Sequence, residues 1–110
     1  MPLTLQTALD TLPIFATASV IAGHGGLGRE IHWTHIVDNP DILPWVREGD
    51  LLLTTAFAIK DHPETAQELV TNLQSKGLAG MVVAVGRYVE QIPSAMVVAA
   101  NHLNFPVLTL

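Results

Sequence analysis

The feature that most restricts what this chain can fold into is the alternation over its second half. Leu51-Leu52-Leu53-Thr54-Thr55, Gly80-Met81-Val82-Val83-Ala84-Val85 and Val107-Leu108-Thr109-Leu110 are apolar runs separated by two stretches with helical spacing. The first two runs are continuous rather than alternating, as expected of strands buried on both faces. Strand, helix, strand, helix, strand with such strands implies parallel pairing through right-handed crossovers, so the fold class is α/β. With 110 residues, 49% hydrophobic and 14% charged, the chain fits one compact domain of two or three layers.

Local signals place the remaining elements. Leu5, Ala8, Leu9 and Leu12 recur at helical spacing, Thr4 is a plausible N-cap and Pro13 a stop. Ser19 to Ala22 reads as a strand, the glycine-rich stretch Gly23 to Gly28 as a turn, and Ile31 to Val37 as a second strand. These two strands are expected to pair as a hairpin, which would make the sheet mixed, though mostly parallel. In the second of them Ile31, Trp33, His35 and Val37 share one face, and His32, Thr34 and Ile36 the other. Asp38-Asn39-Pro40-Asp41 offers an N-cap and a proline for a short turn, and Glu48-Gly49-Asp50 a tight turn into the leucine strand. Asp61 and Glu64 have capping-box spacing before a helix that buries Ala66, Leu69, Val70 and Leu73. Gly77 suits the left-handed position past its end, with Leu78 set against Leu73. A last helix from about Pro93 to His102 turns Met96, Val97, Ala100 and Leu103 inward.

Composition excludes several functions. Five Lys and Arg against ten Asp and Glu give a net charge of −5, and the basic residues are scattered, which disfavours direct contact with nucleic acid or an anionic membrane. No run approaches the length of a membrane span. The absence of cysteine excludes disulfides and thiolate metal sites and suits a reducing cytosol, so a cytoplasmic location is expected. The five histidines show neither helical i, i+4 pairing nor carboxylates at ligand spacing, so no metal or other cofactor is expected. Ser19, Ser75 and Ser94 lie in no nucleophile-elbow pattern, and an enzyme is not expected. Trp33 and Trp45 suit core or lid packing, Trp45 equally a ligand platform, and His35 a core-facing place with one satisfied nitrogen. Gly23, Gly25 and Gly28 match the letters of a dinucleotide-binding fingerprint, but a strand rather than a helix follows, leaving a glycine-rich turn.

Ligands of parallel sheets bind where strand C-termini converge. That rule selects Asp38 and Asn39, then Thr54, Thr55 and Phe57, then Arg87 and Tyr88, a set able to clasp a small polar metabolite. Each has an ordinary structural role open to it as well: capping for Asp38 or Asn39, strand-end satisfaction for the threonines, an ion pair with Glu90 for Arg87. The apolar end, Phe105 to Leu110, is what a segment of a longer protein would show.

Taken in order, Ala22-Gly23 with Gly26-Leu27, Val37-Asp38-Asn39-Pro40-Asp41 with Trp45, Glu48 through Thr55, Gly77 through Gly80, Ile92-Pro93, Ala100 and Pro106-Val107 resemble one family over nearly the whole chain. The resemblance is to the N-terminal domain of PucR-type (purine catabolism regulator) bacterial transcription regulators, and Gly49-Asp50-Leu51-Leu52-Leu53-Thr54-Thr55 is its most specific part. It implies a regulatory, ligand-sensing domain spanning residues 1–110, with a helix-turn-helix far C-terminal through which alone DNA would be bound. It further implies a small-molecule effector, a purine-catabolic intermediate, an amine or an amino acid. A homodimer is expected, and the alternative is a ligand-free domain that only assembles the regulator, through an exposed apolar edge strand or the Met96 helix. The family pattern often has Gly at the position of Ala56 and an acidic residue near Asn39.

Overall fold

The structure, a computed structural model, describes residues 3–38, 41–59, 62–86 and 89–110. Its elements in chain order are β1 (Leu3–Thr4), α1 (Leu5–Thr11), β2 (Ser19–Ala22), β3 (Glu30–Ile31), β4 (Trp33–Ile36), β5 (Asp50–Thr54), α2 (Ala66–Ser75), β6 (Gly80–Val83), α3 (Ser94–Leu103) and β7 (Val107–Thr109), with short 3-10 turns between them. The five-stranded sheet runs β2-β7-β6-β5-β4. Strands β4 to β7 are mutually parallel, and β2 joins β7 antiparallel. The α/β class and the mixed, mostly parallel sheet are as expected.

The expected hairpin is not formed. Ser19–Ala22 pairs with Val107–Thr109 at the far end of the chain, Glu30–Ile31 pairs with Leu3–Thr4, and Trp33–Ile36 pairs with Asp50–Leu53. The physical reason is a bend at His32, which breaks the 31–37 run into two strands serving different sheets. Ile31 consequently leaves the face shared by Trp33, His35 and Val37 and packs with the α1 side of the sheet.

Strands β4, β5, β6 and β7 are laid down in one direction across the sheet, so crossovers of one hand bring α2 and α3 onto the same face. There Leu52, Met81, Val83 and Val107 of the sheet meet Val70 and Leu73 of α2 and Met96 and Ala100 of α3. The opposite face carries Leu51, Val82 and Leu108 against Leu5 and Ala8 of α1 and Phe15. The result is three layers, with β5 and β6 buried on both sides.

Helix ends follow their sequence signals. The Thr4 side chain accepts from the Thr7 N–H and starts α1. At the end of α2 the Leu78 N–H donates to Leu73 O and the Gly77 N–H to Gln74 O, with Gly77 at φ +81°, a Schellman motif. The start of α2 differs from expectation: a 3-10 turn, Pro63–Thr65, precedes Ala66, and Asp61 of the expected capping box lies outside the described residues.

The Gly23–Gly28 stretch is a packing device. A 3-10 turn, His24–Gly26, lies directly on the chain leaving α3, where a Cβ on Gly23 would fall 2.1 Å from Phe105 O and one on Gly26 2.0 Å from Asn104 O. Gly23 donates to Asn101 Oδ1 at 2.9 Å. Arg29 completes the junction: its guanidinium donates to Leu78 O (3.0 Å) and Asn104 O (2.9 Å) and lies 5.5 Å from the centre of the Phe105 ring. Burial pushes its pKa below the ordinary arginine value.

Candidate functional site

The C-terminal ends of β4, β5 and β6 bring together part of the expected set. Val37 N–H donates to Leu53 O and Ala84 N–H to Thr54 O, which extends the ladder one step past the strands and fixes Asp38, Thr54 and Ala84 side by side. Asp38 Oδ1 accepts three hydrogen bonds, from Thr54 Oγ1 (2.8 Å), Thr55 N (2.7 Å) and Thr55 Oγ1 (2.8 Å). Thr54 Oγ1 in turn accepts from Ala56 N at 3.2 Å. Thr54 is buried at 4% exposure, whereas Asp38 is exposed and Thr55 half-buried. A carboxylate holding a hydroxyl and an N–H of the next strand makes charge-assisted bonds, stronger than neutral ones. The same clasp therefore locks the two strand ends and presents an oriented anionic group.

Beside this clasp is a cavity of about 190 Å³ lined by Ile36, Asp38, Leu53, Thr54, Thr55, Val82, Ala84 and Leu110. Its walls are aliphatic and its polar groups are the carboxylate and the two hydroxyls. Such a combination of an apolar wall and a few convergent polar groups has the chemistry to orient a small ligand, and a carboxylate there suits one that carries N–H donors.

The structure brings Asp38, Thr54 and Thr55 together. Phe57 is half-buried at the start of the turn Phe57–Ile59 and does not line this cavity. Asn39, Arg87 and Tyr88 lie outside the described residues. Ala56, which follows the threonines, has φ +66°, a left-handed conformation that glycine adopts without strain and alanine does not. Its backbone turns the chain away from β5 immediately behind the clasp.

Two expectations about other side chains are corrected or refined. Trp33 and Trp45 do not pack as core or lid: they are 68% and 54% exposed, because β4 is the edge strand and the turn Leu43–Trp45 buries none of its residues. His35 is half-buried with Nδ1 3.5 Å from Asp50 Oδ2, so one of its nitrogens does have a partner. Asp50 itself, 2% exposed, carries a structural role that the sequence reading missed, since its Oδ2 also accepts the Arg47 N–H at 3.0 Å. The sequence signal was available: an acid at the first position of an otherwise apolar strand after a glycine turn needs a partner on both sides. Among the described residues no three His, Asp or Glu side chains gather closely enough to hold a metal ion, and no helix is long and apolar enough to cross a membrane.

The chain is 36% identical over 99 residues to the purine catabolism regulatory protein of Bacillus subtilis (strain 168), an alignment covering 90% of the chain and 19% of that protein. It is 25% identical over 89 residues to the transcriptional activator PmfR of Paenarthrobacter nicotinovorans, covering 81% of the chain and again 19% of the relative. The chain thus spans about a fifth of the length of these curated relatives. The model of the purine catabolism regulatory protein-like family matches residues 8–110, nearly the whole chain. The chain belongs to the purine catabolism regulatory protein-like family.

Proposed function

We propose that this chain is the N-terminal regulatory domain of a cytoplasmic bacterial transcription regulator and that it senses a small catabolic metabolite at the C-terminal ends of β4, β5 and β6. The observation that carries this reading is the convergence of Asp38, Thr54 and Thr55 on one aliphatic cavity at a position where parallel sheets bind ligands. The names of the relatives support regulation of transcription, and the net charge of −5 supports DNA contact through a part of the regulator other than this one. A ligand with N–H groups competes for the Asp38 carboxylate, loosens or replaces the clasp between β4 and β5, and so favours one of two arrangements of the strand ends. The sensing step is differential affinity, with no chemistry performed on the effector.

A second reading has its own observation. Trp33 and Ile36 are 68% and 74% exposed on an edge strand, which supports a domain that assembles the regulator as a dimer without binding any effector. Amide spectra recorded during titration with purine-catabolic intermediates, amines and amino acids separate the two. The sensor reading expects saturable shifts centred on Thr54, Thr55 and Ala84 that are lost in Thr55→Val. A panel in which no compound gives shifts centred on these residues, or a concentration-dependent dimer with no response to any compound, overturns it.

A further inference from the structure

At the opposite end of β4 from Asp38, a second cavity of about 530 Å³ is lined by His32, Trp33, His35 and Arg47. Trp33 and His35 point to one face of the edge strand, and the turn from Arg47 to Asp50 lies beside them because Trp33 is in register with Asp50. The buried Asp50 carboxylate stands behind His35, with Oδ2 3.5 Å from its Nδ1. With Nδ1 on the side of the carboxylate, Nε2 is the nitrogen on the far side of the ring. His32 is held from its own Nε2 by Glu30 at 3.5 Å. The contacts that tie Arg47 into its turn run through its backbone: its N–H donates to Asp50 Oδ2 and its carbonyl accepts from Asp50 N. The exposed guanidinium is a planar, permanently charged fork suited to an anion.

Three recognition elements therefore surround one space: an exposed indole face, an imidazole with a buried acid behind it, and a guanidinium. We propose that this cleft is a ligand site, separate from the strand-end site, for a planar heteroaromatic anion that carries a ring N–H. The ring stacks on Trp33, the N–H donates to His35 Nε2 and the anionic oxygens accept from Arg47. Stacking favours flat rings over aliphatic anions, and the guanidinium favours anions over neutral rings of the same shape.

The two indole N–H resonances provide a direct test on the 110-residue chain, with Trp45→Phe assigning them and Trp45, which does not line the cleft, as internal control. Urate and orotate are the probes, uracil the neutral ring and acetate the non-aromatic anion. The expected result is a saturable shift of the Trp33 indole with urate and orotate, absent with uracil and acetate. Arg47→Gln should weaken it by about tenfold or more, as loss of a charge-assisted bond does, and Thr55→Val should leave it unchanged. The proposal is overturned by no Trp33 shift with either anion at millimolar concentration, by an equal shift with uracil or acetate, or by an effect that follows Thr55→Val and not Arg47→Gln. A dimer that Trp33→Ser dissolves, with no response to the anions, also overturns it and identifies this edge as a contact between copies.

Discussion

Alanine substitutions in the glycine-rich turn test its packing role. Gly23 has φ +74°, and a Cβ there would lie 2.1 Å from Phe105 O and 2.7 Å from Pro106 N. The left-handed backbone costs an alanine about 1–2 kcal/mol. The overlap cannot be relieved by a side-chain rotation, because the obstacle is main chain whose Phe105 N–H is bonded to Ala100 O; overpacking of this kind costs about 1–3 kcal/mol. Gly23→Ala should therefore destabilise by about 2–5 kcal/mol, which at about 4 °C per kcal/mol for a domain of this size lowers Tm by about 8–20 °C. Gly26 has no positive φ but the same kind of overlap, 2.0 Å from Asn104 O, so Gly26→Ala isolates the packing part, about 1–3 kcal/mol. Gly28 has nothing within 4 Å of its virtual Cβ, and Gly28→Ala should change stability by less than about 1 kcal/mol, in the stabilising direction through the unfolded chain. The assay is calorimetric unfolding of the three variants. Equal Tm values for Gly23→Ala and Gly28→Ala would refute the close approach of this turn to the Phe105–Pro106 segment.

Three further outcomes follow from the same contacts. Thr54→Val removes the hydroxyl that joins Asp38 to Ala56 in a buried position and should cost about 2 kcal/mol, with Thr54→Ser recovering most of it in denaturant titrations. Arg29→Gln leaves the carbonyls of Leu78 and Asn104 without their charged donor and should cost about 2–3 kcal/mol; Arg29→Lys should recover only part, since an ammonium cannot reproduce the fork. Ala56→Gly relieves a left-handed alanine but deletes a buried methyl, contributions of about 1 kcal/mol each and opposite sign, so unfolding should register a net change under about 1 kcal/mol.

Elements whose partners are near in sequence were legible. The Gly77-Leu78 end of α2 was written in two residues, and the parallel strands in their unbroken apolar runs, because burial on both faces leaves a compositional trace. The pairing of β2 was not legible, because its partner lies almost ninety positions away and nothing in Ser19-Val20-Ile21-Ala22 distinguishes β7 from the nearer 31–37 run. Exposure of Trp33 escaped for the same reason: whether a strand is central or edge is a property of the sheet order, and an aromatic residue in a strand reads as core until that order is known. The Asp38, Thr54 and Thr55 cluster was found from a rule about where strands end, not from the residues themselves. Arg29 was missed, although an arginine directly after a turn of glycines is well placed to reach the carbonyls that the glycines bring close.

The most direct test of the sensor reading is thermal unfolding of this chain against purine-catabolic intermediates, amines and amino acids. A ligand at 100 times its Kd adds about 2.7 kcal/mol to stability, here an increase in Tm of about 10 °C. The account predicts such a saturable increase for at least one compound bearing N–H donors, and its loss in a folded Thr55→Val variant. An increase that Thr55→Val retains in full for every stabilising compound, or none with any compound of the panel, would contradict it.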